Sequence, residues 1–465
     1  MGKKNQIIKI LSGERFTPYT LARKLGAAAL LESATFEEGR SRYSLLMLDE
    51  AFRVYQVGDE VRYRSEGKQY RVISKAQDIL GVLQYFANQH TAPYQDFPFP
   101  AGGIGYLAYE FAANCDTISF VDRDDPLGLP EALFIFGHLF IVFDHYADQL
   151  YLIGLNYDEH EIDLAAALAE AEQRINDLDF NYLQNDETVY TGEILDDGDP
   201  EAYRKGVESI REEIIAGNLL QGVLSRRIAV KSDIPALEAY RRLRGANPAP
   251  YLFYVYFGEF ELFGASPEVH VRVKEERATM RPIAGTRRRG ADRMEDLDLE
   301  RELLADEKER AEHLMLVDLA RNDLGRVCEA GSVEMTEFMR VERYSKVMHI
   351  VSEVEGKLTE GSTGADALRA TFPAGTVSGA PKIRAIETVD RLEPQRRGFY
   401  AGLVGYMEPS GALDTCIAIR TALKKDGVLY MQAGAGIVYD SSPEREYQET
   451  REKLGALGGA IGVEV

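Results

Sequence analysis

The sequence predicts an α+β fold with mainly antiparallel sheets, and three observations lead to this prediction. In the first half, short β-rich runs are separated by turn pairs such as Gly58-Asp59, which is typical of hairpins. In the second half, strand-like runs and long helical patterns follow one another through connections too short for a regular βαβ series. A composition of 45% apolar and 28% charged residues is typical of a globular protein with a sizeable core. A chain of 465 residues is expected to form two domains or one large compound domain.

Residues 1–183 are predicted to form an N-terminal region rich in strands. The β-rich runs lie at residues 43–47, 52–57, 61–63 and 70–73, and helices are predicted at residues 76–89 and 159–178. The most apolar run, residues 133–143, contains His138 and is too short to span a bilayer. It predicts one buried strand or one arm of a hairpin.

Residues 184–198 are predicted to be a linker, because they are acidic and lack a periodic apolar pattern. Residues 199–465 then form the second domain, which begins with a helix started by Asp199-Pro200-Glu201 and ending near Ala216. Further helices are predicted at residues 237–243, 299–322, 380–392 and 443–457. Strands are predicted at residues 220–230, 251–257, 261–263, 269–273, 404–407, 416–422 and 428–432.

Charge and cysteine content exclude several classes of protein. A net charge of -22 argues against non-specific nucleic-acid binding, which needs Lys and Arg, but not against a small anionic substrate in a local basic pocket. Cys115, Cys328 and Cys416 are far apart, which argues against a disulfide framework or a thiolate zinc site. We therefore expect a cytoplasmic protein that binds neither nucleic acid nor membrane.

Two clusters of carboxylates are candidates for a metal site. Glu309 and Glu312 are three residues apart in a predicted helix, and so are Glu446 and Glu449, with Lys453 one turn further on. Paired carboxylates on two separate helices suit Mg²⁺, provided that substrate and water complete its shell. The alternative is that each cluster forms ordinary ion pairs at the surface.

Two loops and an arginine-rich stretch are candidates for binding an anion. Gly434-Ala435-Gly436 allows close backbone approach, so that N–H groups can hold an anion. The loop at residues 372–382 places Thr376 before a helix, although a capped loop explains it equally well. The four arginines within residues 281–289 indicate either an anion site or a structural ion-pair hub.

Three single residues are weaker candidates when taken alone. Glu268 is either a pocket acid with a raised pKa or a turn carboxylate. His349 in a strand-like run is by default a satisfied core histidine. Arg420 ends an apolar run, and a cation in that position usually has an anionic partner. The residues alone therefore indicate an acidic enzyme that binds a small anion, with Mg²⁺ as a candidate cofactor.

Read together, these segments resemble the chorismate-utilising enzymes. The similarity covers most of residues 199–465 and lies in residues 221–226, 265–268, 282–287, 309–325, 372–382, 397–406, 414–421 and 434–453. The resemblance implies a compound fold of two mainly antiparallel β-sheets that are packed together and surrounded by helices. It also implies the lyase activity of an anthranilate synthase large subunit, the first committed step of tryptophan biosynthesis. In that reaction ammonia attacks C2 of chorismate, the C4 hydroxyl leaves, and pyruvate is eliminated to give anthranilate.

The resemblance also implies a role for each matching residue. Glu312 and Glu449 would hold Mg²⁺ directly, and Glu309 and Glu446 would hold it through water. Glu268 would be the general acid, His349 would assist pyruvate elimination, and Thr376 would belong to the pocket loop. The implied substrate-binding residues are Gln221, Ala284, Gly285, Thr286, Tyr400, Arg420, Gly434, Ala435, Gly436 and Lys453.

The resemblance further implies feedback inhibition by tryptophan. The family's tryptophan-binding pattern is matched by Leu31, Glu32, Ser33, Tyr43, Ser44, Asn247, Pro248, Pro250 and Tyr251. A purely structural role for this pattern is the alternative, because aminodeoxychorismate synthases keep a similar pocket.

Single positions bear on the subtype. Gln221 stands where water-using relatives carry Lys, and Ala284 fits anthranilate synthase, although some aminodeoxychorismate synthases share it. The chain lacks a Gly-x-Cys-x-Gly nucleophile turn, so we expect a separate glutamine amidotransferase subunit to supply ammonia. Aminodeoxychorismate synthase is the alternative function. A non-catalytic regulator that binds tryptophan or chorismate is disfavoured by the complete set of candidate catalytic residues.

Overall fold

The structure, a computed structural model, describes residues 5–35, 39–65, 67–93, 97–123, 125–177, 188–344 and 347–464. It confirms the predicted α+β class. Two twelve-stranded antiparallel sheets dominate the molecule, and helices pack around them. Within the described residues, no helix combines the length and the apolar character that crossing a bilayer requires.

The α-helices, in chain order, are α1 (Pro18–Leu25), α2 (Ile79–Ala87), α3 (Leu164–Asn176), α4 (Pro200–Ile215), α5 (Ala236–Ala246), α6 (Arg293–Ala305), α7 (Glu307–Gly325), α8 (Gly364–Thr371), α9 (Lys382–Leu392) and α10 (Pro443–Ile461). The strands are β1 (Gln6–Ser12), β2 (Ala29–Glu32), β3 (Ala34–Thr35), β4 (Gly39–Arg40), β5 (Tyr43–Met47), β6 (Phe52–Val57), β7 (Glu60–Ser65), β8 (Arg71–Ser74), β9 (Ile104–Leu107), β10 (Ala132–Phe136), β11 (Leu139–Asp144), β12 (Gln149–Leu155), β13 (Glu193–Asp196), β14 (Gln221–Lys231), β15 (Tyr251–Tyr256), β16 (Glu261–Ser266), β17 (Val269–Lys274), β18 (Arg277–Met280), β19 (Ile283–Arg288), β20 (Glu334–Arg343), β21 (Val347–Lys357), β22 (Gly379–Ala380), β23 (Leu403–Met407), β24 (Leu413–Ile417), β25 (Thr421–Lys425) and β26 (Val428–Ile437).

The first sheet has the strand order β1-β12-β11-β5-β2-β15-β16-β25-β26-β14-β13, with β22 beside β14. The second has the order β19-β21-β18-β17-β24-β23-β9-β10-β6-β7-β8, with β20 beside β21. Strands from both sides of the predicted boundary at residues 184–198 are neighbours, since β2 pairs with β15 and β9 pairs with β23. The boundary therefore divides the chain, whereas both sheets extend across it.

The main core lies between the two sheets. It contains Phe140 and Phe253 of the first sheet together with Phe52 and Tyr106 of the second, all of them at most 2% exposed. Burying an aromatic side chain of this size contributes roughly 1.5–3 kcal/mol. A second cluster joins the opposite face of the first sheet to helices α1, α3, α5 and α10. Both faces of the first sheet are thus covered.

Two runs that were each predicted as a single strand form two strands. In both cases one of the two strands belongs to each sheet. The run at residues 133–143 forms β10 and β11, separated by Gly137-His138, so the prediction of a single strand or hairpin arm was wrong. A Cβ at Gly137 would lie 2.8 Å from the backbone oxygen of Asp49, so a side chain at this turn would force the backbone to shift. The run at residues 416–422 is likewise split between β24 and β25. Strand propensity continues through both breaks, whereas the crossing between sheets is a tertiary feature.

The long helix predicted at residues 299–322 is also two elements, α6 and α7. Asp306 has extended backbone angles, and its carboxylate accepts hydrogen bonds from the N–H groups of Lys308 and Glu309. It therefore ends one helix and caps the next. The predicted linker contains the exposed edge strand β13, which pairs with β14, while residues 184–187 lie outside the described part of the chain.

Candidate active site

The candidate site lies where the chain crosses between the two sheets. Glu268 stands in the link from β16 to β17, and Arg420 stands in the link from β24 to β25. The two links are hydrogen-bonded to the neighbouring strands, from Ile417 N to Glu268 O at 3.0 Å and from Ala265 N to Arg420 O at 3.1 Å. Arg420 has a φ of 52°, in the left-handed region that side chains rarely adopt. The two crossings place an acid and a cation side by side.

Glu268 is 7% exposed, and this burial is the main cause of its altered acidity. Burial raises its pKa to about 8, although nearby Thr376, Lys453 and Arg420 act in the opposite direction. The carboxyl is therefore mostly protonated at neutral pH. It can donate a proton there, as a general acid must.

Arg420 and Tyr400 form the cationic side of the site. Burial lowers the pKa of the Arg420 guanidinium, while Tyr400, Glu449 and Glu268 oppose that shift. Burial raises the pKa of Tyr400 to about 12, so the phenol keeps its proton. A Cβ at Gly434 would lie 3.0 Å from the Tyr400 hydroxyl, so a larger residue would crowd this group. A guanidinium beside a phenol suits a carboxylate ligand.

The predicted glycine segment lies on β26, opposite β14. Its residues face Val223, Leu224 and Ser225 in register. Among the described strands, β25 pairs with β26 only as far as Met431, so the segment has a strand partner on one edge. Lys453 Nζ donates to Gly434 O at 2.8 Å and lies 2.7 Å from Glu449 Oε1. The lysine therefore joins β26 to α10.

The four predicted metal carboxylates lie on α7 and α10, and their charges affect one another. Burial raises the pKa of Glu312, and Glu309 and Glu449 raise it further. Burial also raises the pKa of Glu446, with a further contribution from Glu449. The carboxylates of the two helices therefore lie close enough for their charges to interact, and the metal site itself stays a prediction. Gln221 Nε2 donates to Glu312 Oε1 at 3.0 Å and fixes one of them.

The donor set suits a dication only in part. No group of three or more His, Cys, Asp or Glu side chains in the described ranges is arranged to hold a metal. Glu309 lies 3.2 Å from Arg287 Nη1, and Glu449 is paired with Lys453. Mg²⁺ nevertheless needs only one or two protein carboxylates when substrate and water supply the other oxygens. The mutual repulsion at Glu312 indicates negative charge that a dication would relieve.

His349 lies on β21, at the side of the site formed by β19. Its Nδ1 is 3.1 Å from Gly285 O and 3.1 Å from Thr286 Oγ1. Because the Gly285 carbonyl can only accept a hydrogen bond, Nδ1 of His349 carries the ring proton. Nε2 is then unprotonated in the neutral ring. Burial lowers the pKa of His349 to about 4, so the ring is neutral at pH 7. Ala284 precedes Gly285, whose φ of 70° accompanies a register shift in the pairing of β19 with β21.

The arginine-rich stretch is an ion-pair hub. Arg281 pairs with Glu342, Arg287 with Asp306, Arg288 with Glu295 and Arg289 with Asp296, at 2.5 to 2.8 Å. Of the two interpretations that the sequence left open, the structure supports the structural one.

Arg397 contacts several elements around the site and was not among the predicted site residues. Its guanidinium, 2% exposed, donates to Val377 O in the pocket loop at 2.7 Å and to Val223 O on β14 at 2.6 Å. It also pairs with Glu393 at 2.7 Å, and Glu393 accepts from both Ser225 N and Oγ. Glu393 and Arg397 are four residues apart, but α9 ends at Leu392, so helical spacing gave no signal for this pair.

A cavity of about 600 Å³ between the sheets collects most of the predicted tryptophan residues. Its lining includes Leu31, Glu32, Ser33, Tyr43, Pro250 and Tyr251. Ser44, Asn247 and Pro248 lie outside this lining; the Ser44 hydroxyl contacts His145 Nε2 at 2.8 Å, and Asn247 ends α5.

The cavity is adjacent to the candidate site. Pro267 and Val269, on either side of Glu268, belong to its lining. Tyr251 on the first sheet donates to Asp414 Oδ1 on the second at 2.8 Å. A ligand in the cavity would therefore touch the same crossing that holds Glu268.

Comparison with known proteins gives matches over most of the chain. The family model described as chorismate binding enzyme matches residues 36–458. Anthranilate synthase component 1 of Spirochaeta aurantia is 60% identical, with 99% of this chain and 96% of the relative covered. The protein of the same name from Cereibacter sphaeroides is 41% identical, with 97% and 94% covered. The crystal structure of anthranilate synthase component I from Streptococcus pneumoniae is similar at a TM-score of 0.81 and 36% identity, covering 90% of this chain and 92% of that one.

Proposed function

The chain belongs to the chorismate binding enzymes, and within this family we infer that it is an enzyme that converts chorismate to anthranilate. The observation that carries this inference in the site itself is the buried Glu268 carboxyl. It holds its proton at neutral pH and lies beside Arg420 and Lys453. A proton donor next to two cations suits a dianionic substrate whose leaving group is a hydroxyl.

We assign substrate binding to the cationic side of the site. Arg420 and Tyr400 hold the enolpyruvyl carboxylate of chorismate. Lys453 and the backbone of Gly434, Ala435 and Gly436 lie near the ring carboxylate. Thr376 in the pocket loop and the residues Gln221, Ala284, Gly285 and Thr286 complete the walls. The support is that Lys453 and Arg420 act on the Glu268 carboxyl, and that Lys453 donates to Gly434 O and Gln221 to Glu312.

We propose that Mg²⁺ is the cofactor. Glu312 and Glu449 would hold it directly, and Glu309 and Glu446 through water. When bound, the ion neutralises the ring carboxylate and stabilises charge that develops on the substrate. The support is the repulsion among these side chains, which raises the pKa of Glu312 and of Glu446 beyond the effect of burial.

The proton transfers are assigned to two residues. Glu268 gives its proton to the C4 hydroxyl as the C–O bond breaks, so that the hydroxyl leaves as water. His349 assists the elimination of pyruvate through Nε2, since Nδ1 is held by Gly285 O at 3.1 Å. The support is that Glu268 holds a proton at pH 7 while the His349 ring is neutral.

Ammonia is proposed as the nucleophile, supplied by a separate glutamine amidotransferase subunit. The relatives are named component 1, which indicates a second component in those proteins. We place the chain in the cytoplasm, where its three free cysteines would remain reduced.

Tryptophan is proposed as a feedback inhibitor that binds in the 600 Å³ cavity. The N-terminal region, residues 1–183, contributes Leu31, Glu32, Ser33 and Tyr43 to that lining. Residues 199–465 contribute Pro250 and Tyr251 and also carry the catalytic residues.

A single assay tests the function. The purified chain is incubated with chorismate, Mg²⁺ and ammonium, and anthranilate is followed by its fluorescence. Formation of a 4-amino product instead would identify an aminodeoxychorismate synthase. Absence of turnover would favour a non-catalytic regulator. Activity with glutamine in place of ammonium, in the pure chain, would contradict the need for a partner subunit.

A further inference from the structure

The pocket loop at residues 372–382 receives a hydrogen bond from the N-terminal region of the chain. The Tyr109 hydroxyl donates to Ser378 Oγ at 3.0 Å, and both residues are at most 1% exposed. Tyr109 begins a short 3₁₀ helix, Tyr109–Asn114, which follows β9 of the second sheet. The lining of the proposed tryptophan cavity contains neither Tyr109 nor Ser378. The contact therefore connects the N-terminal region directly to the candidate active site.

We propose that Tyr109 is a positioning residue for the reaction, which holds the pocket loop so that Thr376 stays beside Glu268. The inference rests on the proposed function, and in particular on Glu268 as the general acid. It gives the N-terminal region a part in catalysis in addition to its proposed part in inhibition. The support is the way in which Tyr109, Ser378 and Thr376 are each held.

The side chain of Tyr109 is fixed from several directions. Its backbone N–H donates to Gly398 O at 2.8 Å. The adjacent Glu110 carboxyl accepts from Arg397 N at 2.7 Å and from Gly398 N at 3.1 Å. The Arg397 guanidinium lies 4.4 Å from the centroid of the Tyr109 ring, within the range of a cation–π contact. Burial raises the pKa of Tyr109 to about 12, so the phenol keeps the proton that it donates.

Ser378 transmits this anchor to the pocket loop. Its hydroxyl has one proton, which it donates to Ala374 O at 2.9 Å, so it accepts from Tyr109. The Ser378 carbonyl accepts from Val223 N on β14 at 3.0 Å. The bond from Ser378 to Ala374 closes a five-residue turn with Thr376 at its centre. Tyr109 therefore stabilises the turn that carries Thr376.

Thr376 is the residue of this turn that acts on the proposed acid. Burial is the main cause of the raised pKa of Glu268, and the Thr376 hydroxyl is the first group that opposes it. A hydroxyl that faces a carboxyl favours the ionised form in this way. Among the described residues, the buried Thr376 Oγ1 has no hydrogen-bond partner of its own. The position of the hydroxyl relative to Glu268 therefore depends on the turn itself.

The test uses the full chain with Tyr109→Phe, which keeps the ring and its contact with Arg397 and removes only the hydroxyl. In the ammonium assay we expect kcat to fall by about 3- to 10-fold, the factor that corresponds to one neutral hydrogen bond. The KM for chorismate should stay unchanged, because the groups assigned to substrate binding are intact. Tyr106→Phe is the matched control and should keep wild-type kcat. Tyr106 lies on β9, is 1% exposed, and donates to Pro130 O at 3.0 Å, away from the pocket loop.

The pH dependence separates positioning from a general loss of structure. The basic limb of kcat/KM reports the pKa of the essential acid in the free enzyme. Thr376 lowers the pKa of Glu268 in the wild type, so a loosened turn should raise it. We expect the basic midpoint to move to higher pH in Tyr109→Phe and to stay in place in Tyr106→Phe. Loss of stability alone would lower the melting temperature of both variants without moving this midpoint.

A second variant, Ser378→Ala, removes the acceptor of the same hydrogen bond. Because Tyr109 acts through Ser378, adding Tyr109→Phe to Ser378→Ala should cause little further fall in kcat. Wild-type kcat and midpoint in Tyr109→Phe would overturn the inference. Equal effects in Tyr106→Phe, or effects that simply multiply in the double variant, would also overturn it. Absence of anthranilate formation by the wild-type chain would instead refute the proposed function, and this inference with it.

Discussion

At the scale of single residues, Glu268 is the group on which the proposed chemistry depends most. Replacing it by Gln keeps the shape and removes the proton that the carboxyl donates. We predict a fall in kcat of about 10²- to 10⁴-fold, as is typical for a general acid, with a smaller change in the KM for chorismate. Steady-state kinetics with ammonium measure both. Glu275→Gln serves as control, since Glu275 lies in the turn between β17 and β18. Retention of wild-type kcat in Glu268→Gln would exclude the acid role.

The same substitution should change stability in a pH-dependent direction. The pKa of Glu268 is raised in the folded state, from an ordinary value of 4.5 to about 8. A raised pKa means that this group favours folding below pH 4.5 and that the contribution is lost as pH rises through 8. Glu268→Gln removes that loss. We therefore predict that the variant is more stable than wild type at pH 9, that the difference shrinks toward pH 5, and that thermal melts across this range reveal it.

Sequence reasoning named candidate catalytic residues but could not fix their protonation states. The sequence allowed Glu268 to be an ordinary turn carboxylate. Its burial depends on contacts with residues far away in the chain, such as Ile417, and these cannot be read from local spacing. His349 was by default a core histidine, and only its bond to Gly285 O shows which nitrogen is free. Proton location is a tertiary property, so spacing alone could not supply it.

At the scale of elements, the carboxylates of α7 and α10, whose charges interact, are the feature that a metal would use. Glu312→Gln keeps the hydrogen-bonding shape near Gln221 but removes a charge. We predict that the Mg²⁺ concentration for half-maximal activity rises by more than about tenfold, as for loss of a metal-binding group. Titration of Mg²⁺ in the ammonium assay measures this value. The matched control is Glu444→Gln on α10, whose side chain is 73% exposed; an equal shift in the control would contradict the metal assignment.

Arg397 offers a test of how elements are held around the site. It joins the pocket loop, β14 and Glu393 through a buried guanidinium. Lysine cannot make the same set of hydrogen bonds, because its ammonium is a compact charge without the planar, forked donor groups of a guanidinium. We predict that Arg397→Lys lowers the free energy of unfolding by about 2 kcal/mol, in line with lost charged hydrogen bonds, and raises the KM for chorismate.

Urea unfolding and steady-state kinetics measure the two effects. Arg391→Lys on α9 is the control, since Arg391 is exposed and contacts only Thr388 in the described hydrogen bonds. Should both variants unfold alike, Arg397 would have no special supporting role.

Element boundaries were predictable where a local signal marked them. Pro200 after Asp199 correctly gave the start of α4, and Pro443 gave the start of α10. The break between β24 and β25 was missed, because Arg420 turns the chain with a φ of 52° amid continuous strand-forming residues. The requirement that the chain leave one sheet and enter the other exists only in the assembled fold.

At the scale of the whole molecule, the two regions of the chain form one structure through shared sheets. The length of the chain allowed either two domains or one compound domain. The strand order shows that both sheets contain strands from each side of the predicted boundary at residues 184–198. Strand β2 of the first region lies between β5 and β15, and β9 lies between β23 and β10. Long-range strand pairing of this kind leaves no periodic signal in the sequence. The cavity between the sheets therefore draws its lining from both regions.

This shared cavity leads to the final prediction, on tryptophan binding. The chain contains no tryptophan, so indole fluorescence from added tryptophan is seen against Tyr alone. We expect a saturable change in that fluorescence and a rise in the melting temperature. Binding to the folded state alone stabilises it by about 2.7 kcal/mol when the free ligand is at 100 times its Kd. Ser33→Leu places a bulky side chain in the lining and should abolish both effects. Ser12→Leu, at an exposed end of β1 in the same sheet, should preserve both. A full response in Ser33→Leu would place tryptophan outside this cavity, and the coupling through Pro267 and Val269 to Glu268 would then lose its basis.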